Sequence, residues 1–139
     1  MSVIVNIDVP ALGPGEVFYC DGLGFHRVRR LFDGAVAQVE RDDFTAFLIA
    51  APAGSIAVAG SDVQRAYSDH WTPLHLDIAV PDLEFSLRRA LDAGALQTGT
   101  VTTHVFGRMA RLRDPFGHGF CLIEFSARGY DAGADVVPT

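Results

Sequence analysis

The stretch RDPFGHGFCLIEF, residues 113–125, holds an imidazole at His118, a thiol at Cys121 and a carboxylate at Glu124. Groups of these types could do acid–base or nucleophilic chemistry, or hold a metal ion. Whether they act together depends on where each side chain points. Asp114, Pro115 and Gly117 read as a tight turn, because proline presets φ and glycine adopts dihedrals that other residues avoid. Residues 120–125 then read as a strand, in which successive side chains face opposite ways. Cys121 and Glu124 are therefore expected on opposite faces, and His118 in the turn beyond them. The three should not form one cluster. Any site around Cys121 must be completed from elsewhere in the chain.

A repeat indicates where those other residues lie. VIVNIDVPAL (3–12) and LHLDIAVPDL (74–83) both alternate and both end in Val-Pro-x-Leu. AQVERDDFTAFLIA (37–50) likewise matches ARLRDPFGHGFCLIE (110–124), setting Ala37 on Ala110 and Phe47 on Phe120. Each half reads as a strand (3–9 and 74–80), a helix, and three more strands. Those strands are expected at about 26–32, 35–40 and 45–50, then at about 98–105, 108–113 and 119–125. The second helix has Asp82 as N-cap, an apolar stripe of Leu83, Leu87, Ala90 and Leu91, and Gly94 at its end. The first, near 14–21, has its start disturbed by Gly13-Pro14-Gly15. One domain over 1–125 is expected. Its first module spans about 1–51, a linker 52–73 with room for a short helix follows, and the second module spans 74–125. A tail, 126–139, carries little pattern.

Strand parity assigns the faces. In 74–80, Leu74, Leu76, Ile78 and Val80 form an apolar set, expected to pack beneath the helices with Leu112. His75, Asp77 and Ala79 face the other way, as do Ile4, Asn6 and Asp8 in 3–9. Carried through the repeat, Val36, Gln38, Glu40, Leu48, Ala50, Met109, Arg111, Arg113, Cys121 and Ile123 join that second face. The candidate site is Asn6, Gln38, His75, Asp77, Arg111 and Cys121. His75 is the candidate catalytic acid or base, since its unperturbed pKa lies near neutrality, and Asp77 could tune it. Arg111 could hold a carboxylate or phosphate through its fork of donors. Cys121 reads as a small buried hydrophobe rather than a nucleophile. Tyr67, His70 and Trp71, ahead of the second module, read as packing, with a lid at the cup mouth as the lesser alternative.

Composition narrows the function classes. The 139 residues suit one domain with a real core. A net charge of −6 argues against a broad nucleic-acid surface. All eleven basic residues are arginine, which excludes a Schiff base on a lysine of this chain. Two cysteines make no disulfide framework, so a reducing cytoplasm is expected. MSVIVNIDVP lacks the features of a signal peptide, and no window approaches the ~18 apolar residues of a membrane helix.

Two βαβββ modules, the second closing on Asp-Pro-x-Gly before its last strand, resemble the vicinal oxygen chelate superfamily. That superfamily includes glyoxalase I, the bleomycin-resistance proteins and the extradiol dioxygenases. FYCDGLGF (18–25), HLDIAVPDL (75–83) and DPFGHGFCLIEF (114–125) carry the resemblance, which covers residues 1–125. It implies an α+β fold whose two modules curl into a cupped, half-open eight-stranded barrel, with helices outside and a small-molecule ligand inside. It also implies a homodimer, here with Tyr130 of the tail near the contact. The superfamily's metal takes a ligand from the first and last strand of each module. Those positions become Ile4, Leu48, His75 and Cys121, of which two have no donor atom. No cofactor is therefore expected. A divalent metal through His75, helped by Glu40, Asp77 or a dimer mate, is the lesser alternative. The function expected is a glyoxalase-like small-molecule-binding protein with a degenerate metal site, capable of metal-independent acid–base chemistry if it is an enzyme. The alternatives are a non-catalytic sequestering protein, and a metal-dependent lyase, isomerase or dioxygenase with altered ligands.

Overall fold

The computed structural model describes residues 3–135; residues 136–139 of the expected tail, and 1–2 of the first module, lie outside it. The first sheet contains β1 (Val5–Val9), β2 (His26–Leu31), β3 (Val36–Arg41) and β4 (Phe44–Ala50), in the order β1-β4-β3-β2. β1 runs parallel to β4, a pairing that needs a crossover. The crossover begins with helix α1 (Leu12–Glu16), which continues in wider π-helical turns over Val17–Gly22. Pro14 is tolerated because the first-turn amides have no intrahelical acceptor to lose.

The second sheet repeats the plan. β5 (Leu76–Ala79) runs parallel to β9 (Gly119–Phe125), which pairs with β8 (Gly107–Arg113). The strand expected over 98–105 is split into β6 (Leu96–Gln97) and β7 (Thr102–His104), both on β8. Gly99, at φ +92°, lies in the break, where the backbone leaves the β region. The crossover helix α2 (Leu83–Asp92) is capped as expected: the Phe85 amide donates to Asp82 Oδ1 at 3.1 Å. Its buried residues are Leu83 and Ala90, while Leu91 of the expected stripe is exposed.

Both sheets bury one face in a common core. Val9, Phe18, Leu48, Leu83, Leu112 and Leu122 are among its residues, and fully burying each such side chain contributes roughly 1.5–3 kcal/mol. Phe18 meets Phe120 edge-on at 6.1 Å, so the first module's helix packs against the second module's sheet. The two open sheets are the halves of a cupped, half-open barrel fold, and each presents its own outer, concave face. At the seam, His118 Nε2 donates to the Asp8 carbonyl at 2.7 Å.

Several expectations are corrected. Leu74 is 88% exposed rather than packed, because it precedes β5. Glu124, on the face opposite Cys121 as expected, accepts from the Leu83 amide and from Arg108, both at 2.8 Å, anchoring the N-terminus of α2. The linker forms no helix. Instead it folds on itself, with Ile56 bridged to Gln64 and Arg65 donating to the Asp8 carboxylate at 2.7 Å. A 3-10 turn, Gly129–Gly133, lays Tyr130 on Phe106 and Phe125.

Candidate functional site

The concave face of the second sheet gathers most of the candidate residues. Cys121 lies opposite Asp77 on one side and Arg111 on the other, and directly opposed residues point the same way. His75, just before β5, sets its Nε2 3.2 Å from Asp77 Oδ1. The donor atoms of His75, Asp77 and Cys121 all lie within 4.8 Å of one another. Glu124 is absent from this group, and His118 belongs to the seam.

The electrostatics define what each group can do. Burial pushes the Cys121 thiol up to about 11; the Asp77 charge and hydrogen bond add to this, and Arg111 opposes it. At neutral pH Cys121 is therefore a thiol, a weak hydrogen-bond donor rather than a nucleophile. Asp77 lies beside the Cys121 thiol and faces His75 Nε2. A donating Nε2–H leaves Nδ1 as the basic nitrogen of His75, the usual way a carboxylate fixes a histidine tautomer. Arg111 Nε is held by Thr98 Oγ1 at 3.1 Å, leaving the terminal nitrogens of its fork for a ligand. Arg113 shares the face, but its buried Nε lies 3.4 Å from Asp69 without a hydrogen bond.

Trp71, read from sequence as packing, lines this face. Its ring lies 4.6 Å from that of His75 and covers Gly119. A side chain at 119 would collide with the indole, so the glycine allows the ring to lie on the sheet. Trp71 remains 42% exposed. No strand pattern marked it, because it arrives from the linker.

The first sheet has a concave face of its own. Asn6, Phe47 and Gln38 lie in register and share its concave face. Gln38 accepts from Arg29 Nε at 2.8 Å and donates to Glu40 at 3.1 Å. Arg29 was not anticipated. A bulge at Arg27/Arg29 shifts the parity of β2, so Arg27 and Arg30 both reach Glu16 on the helix side while Arg29 faces the cup. Asp8 is engaged by Arg65.

Leu48 and Ala50 do not face the cup as expected. They pair with Ile7 and Val9, and Leu48 is fully buried in the core. Phe47 and Ile49 take the concave positions. The cause is a turn length. Four residues separate the paired Glu40 and Thr45, whereas five separate the equivalent pair Arg113 and Gly119. Phe47 therefore corresponds to Cys121, not to Phe120. The superfamily's metal positions become Ile4, Phe47, His75 and Cys121. Ile4 and Phe47 offer no donor, so this set does not fit the four-ligand metal. The three donors of the second module remain, but a metal there would have to displace the Cys121 proton.

The comparisons agree with this architecture. Residues 4–123 match the family model of the glyoxalase-like domain. Comparison with curated proteins finds no match. A glyoxalase-related enzyme from Fulvimarina pelagi is similar with TM-score 0.66 and 15% identity, over 93% of this chain and 94% of that one. TnmS3, an antibiotic binding protein from Streptomyces sp. CB03234, is similar with TM-score 0.60 and 21% identity, over 91% and 98%. The bleomycin resistance determinant encoded on the transposon Tn5 is similar with TM-score 0.60 and 22% identity, over 91% and 98%. At these identities the likeness to solved structures is one of fold. With the family model covering nearly the whole domain, the chain belongs to the glyoxalase-like domain family of the vicinal oxygen chelate superfamily.

Proposed function

We propose that the chain binds a small anionic molecule on the charged half of its cup, with His75 as the acid–base group if the ligand is transformed. The observation that carries this reading is the 3.2 Å His75–Asp77 contact on the same face as Arg111 and Cys121. Arg111 supplies the charge complement, Asp77 holds the imidazole tautomer, and the Cys121 thiol stays protonated beside them. The chemistry uses no metal, because the superfamily's ligand set is incomplete in the first module. The protein works in the cytoplasm as a homodimer.

A thermal-shift panel of small carboxylates and their matched neutral amides tests the binding. Carboxylates are expected to raise Tm, amides to leave it unchanged, and Arg111→Gln to abolish the difference. Equal shifts from acids and amides would sink the proposal.

A sequestering role without chemistry is the second reading. The half-exposed ring of Trp71 favours it, since a flat aromatic surface can bind without reacting. The names of TnmS3 and the Tn5 determinant describe antibiotic binding and resistance. Mass spectrometry of a ligand recovered after incubation separates the two: unchanged ligand supports sequestration, altered ligand supports His75 chemistry.

A further inference from the structure

At the seam between the modules, the hydrogen bonds of two histidines are one proton short. His70, in the linker, sets its Nδ1 2.8 Å from the Ser68 carbonyl. His118, in the β8–β9 turn, sets its Nε2 2.7 Å from the Asp8 carbonyl. A carbonyl oxygen only accepts, so each of these nitrogens carries its ring's proton. The remaining nitrogens, His70 Nε2 and His118 Nδ1, face each other at 3.0 Å. A neutral imidazole has one N–H, so the three contacts call for three protons and two neutral rings bring two. Without a third, two lone pairs would oppose each other between half-buried rings.

The backbone holds the rings in this place. The His70 amide donates to the Gly117 carbonyl at 3.1 Å, which bridges the linker to the turn. A Cβ at Gly117 would lie 2.3 Å from the Ser68 oxygen, so the close approach of the two segments depends on the glycine. The ionisable neighbours are engaged elsewhere. Asp8 accepts from Arg65 through its carboxylate, and Asp69 lies 3.4 Å from Arg113. Asp114 accepts from the Tyr19 hydroxyl and the His118 amide. Tyr67, edge-on to His118, donates its hydroxyl to the Ala51 carbonyl. Among the described residues, none of these side chains hydrogen-bonds a ring nitrogen of either histidine.

We infer that His70 and His118 share one extra proton, and that this proton fastens the linker segment that lays Trp71 on the concave face. Trp71 follows His70 in the chain, and its ring covers Gly119, the residue after His118, beside His75. The proton's contribution to docking is full at low pH. It is lost as pH rises through the range in which histidine gives up its charge, about pH 5–8. His70 is then the ring that turns away, because its acceptor Ser68 lies in the exposed linker, and Trp71 loosens with it. The device acts on the Trp71 surface whatever that surface binds.

Trp71 is the only tryptophan of the chain, so its emission reports the docking directly. The probe is acrylamide, an uncharged quencher, applied from about pH 5 to about pH 8. Its quenching constant is expected to rise about twofold over that range as the segment opens locally. His70→Gln should abolish the change, since an amide does not titrate. His75→Gln should preserve it, which separates the pair from the imidazole stacked on Trp71. Quenching that is independent of pH in the parent overturns the inference. So does a change that persists in His70→Gln or disappears in His75→Gln. Nitrogen NMR of the parent with isotope-labelled histidine counts the proton itself, the His70 signals being those missing from His70→Gln. One imidazolium between the two rings is expected while Trp71 is protected; two neutral rings, or two imidazolium rings, in that state overturn the shared proton.

Discussion

Tyr19, in the helical crossover of the first module, donates its hydroxyl to Asp114 Oδ2 in the β8–β9 turn at 2.6 Å. Asp114 is 2% exposed, and its other oxygen accepts from the amides of Phe116 and His118. One buried carboxylate thus ties the first module's helix to the turn that places His118 at the seam. Tyr19→Phe removes a donor and leaves a buried acceptor short. A loss of about 1–3 kcal/mol is expected in urea unfolding, with the denaturant slope unchanged. Burial first, and Asp114 second, raise the Tyr19 pKa well above 10.0. Stability from the protonated phenol is therefore complete below that value and lost as pH rises above it. Tyr19→Phe should lack that alkaline loss. A variant as stable as the parent would remove this tie from the account.

Cys121 offers a sharper test of the site's electrostatics. In a Cys20→Ser background, thiolate absorbance should stay low through neutral pH and rise only toward about 11. The shift is upward, so stability held by the protonated thiol is full below 9.0 and lost as pH climbs toward about 11. Burial, the larger cause, survives Asp77→Asn, so that change should lower the midpoint without restoring the ordinary value of a free thiol. A thiol titrating near 8 in the folded parent would contradict the buried, Asp77-bonded placement.

How much of this was legible in the sequence turns on strand register. The repeat placed Asp77, Arg111 and Cys121 on one face, because β8 and β9 join through a turn whose residues are recognisable. It misplaced Leu48, because one residue of turn length is invisible to a match on Ala37 and Phe47, yet reverses a strand's faces. Arg29 was hidden by a bulge, and Trp71 by its place in a linker without periodicity. The corrected register predicts a clear contrast. Leu48→Ala should cost about 2–5 kcal/mol as a core cavity, and Phe47→Ala about 1 kcal/mol. Chemical denaturation of both variants checks this, and the reverse order would restore the original register.

Metal content tests the ligand count. With Ile4 and Phe47 at two of the superfamily's positions, the purified protein is expected to carry no stoichiometric Zn, Ni, Fe or Mn. Elemental analysis measures this directly. One equivalent per chain, lost in His75→Ala, would mean that the three donors of the second module suffice, and that Cys121 gives up its proton to the metal.

The expected homodimer has a definite place to form. β2 is an edge strand, but its bulge and its Arg27, Arg29 and Arg30 discourage strand pairing there. The surface around β7 and the C-terminal 3-10 turn is aromatic instead. Tyr130 is 59% exposed, with Val105 and Phe125 exposed nearby and His104 stacked on Phe106. Covering such a patch with its own copy buries apolar area without forcing arginines together. A stable pair needs roughly 800 Å² from each partner, so flanking polar residues must take part as well. Light scattering at micromolar concentration should give twice the 15.0 kDa chain mass. Tyr130→Asp should shift the protein toward monomer while leaving its circular dichroism unchanged. A parent protein that is already monomeric at that concentration would overturn the dimer. A Tyr130→Asp variant that stays fully dimeric would move the contact elsewhere.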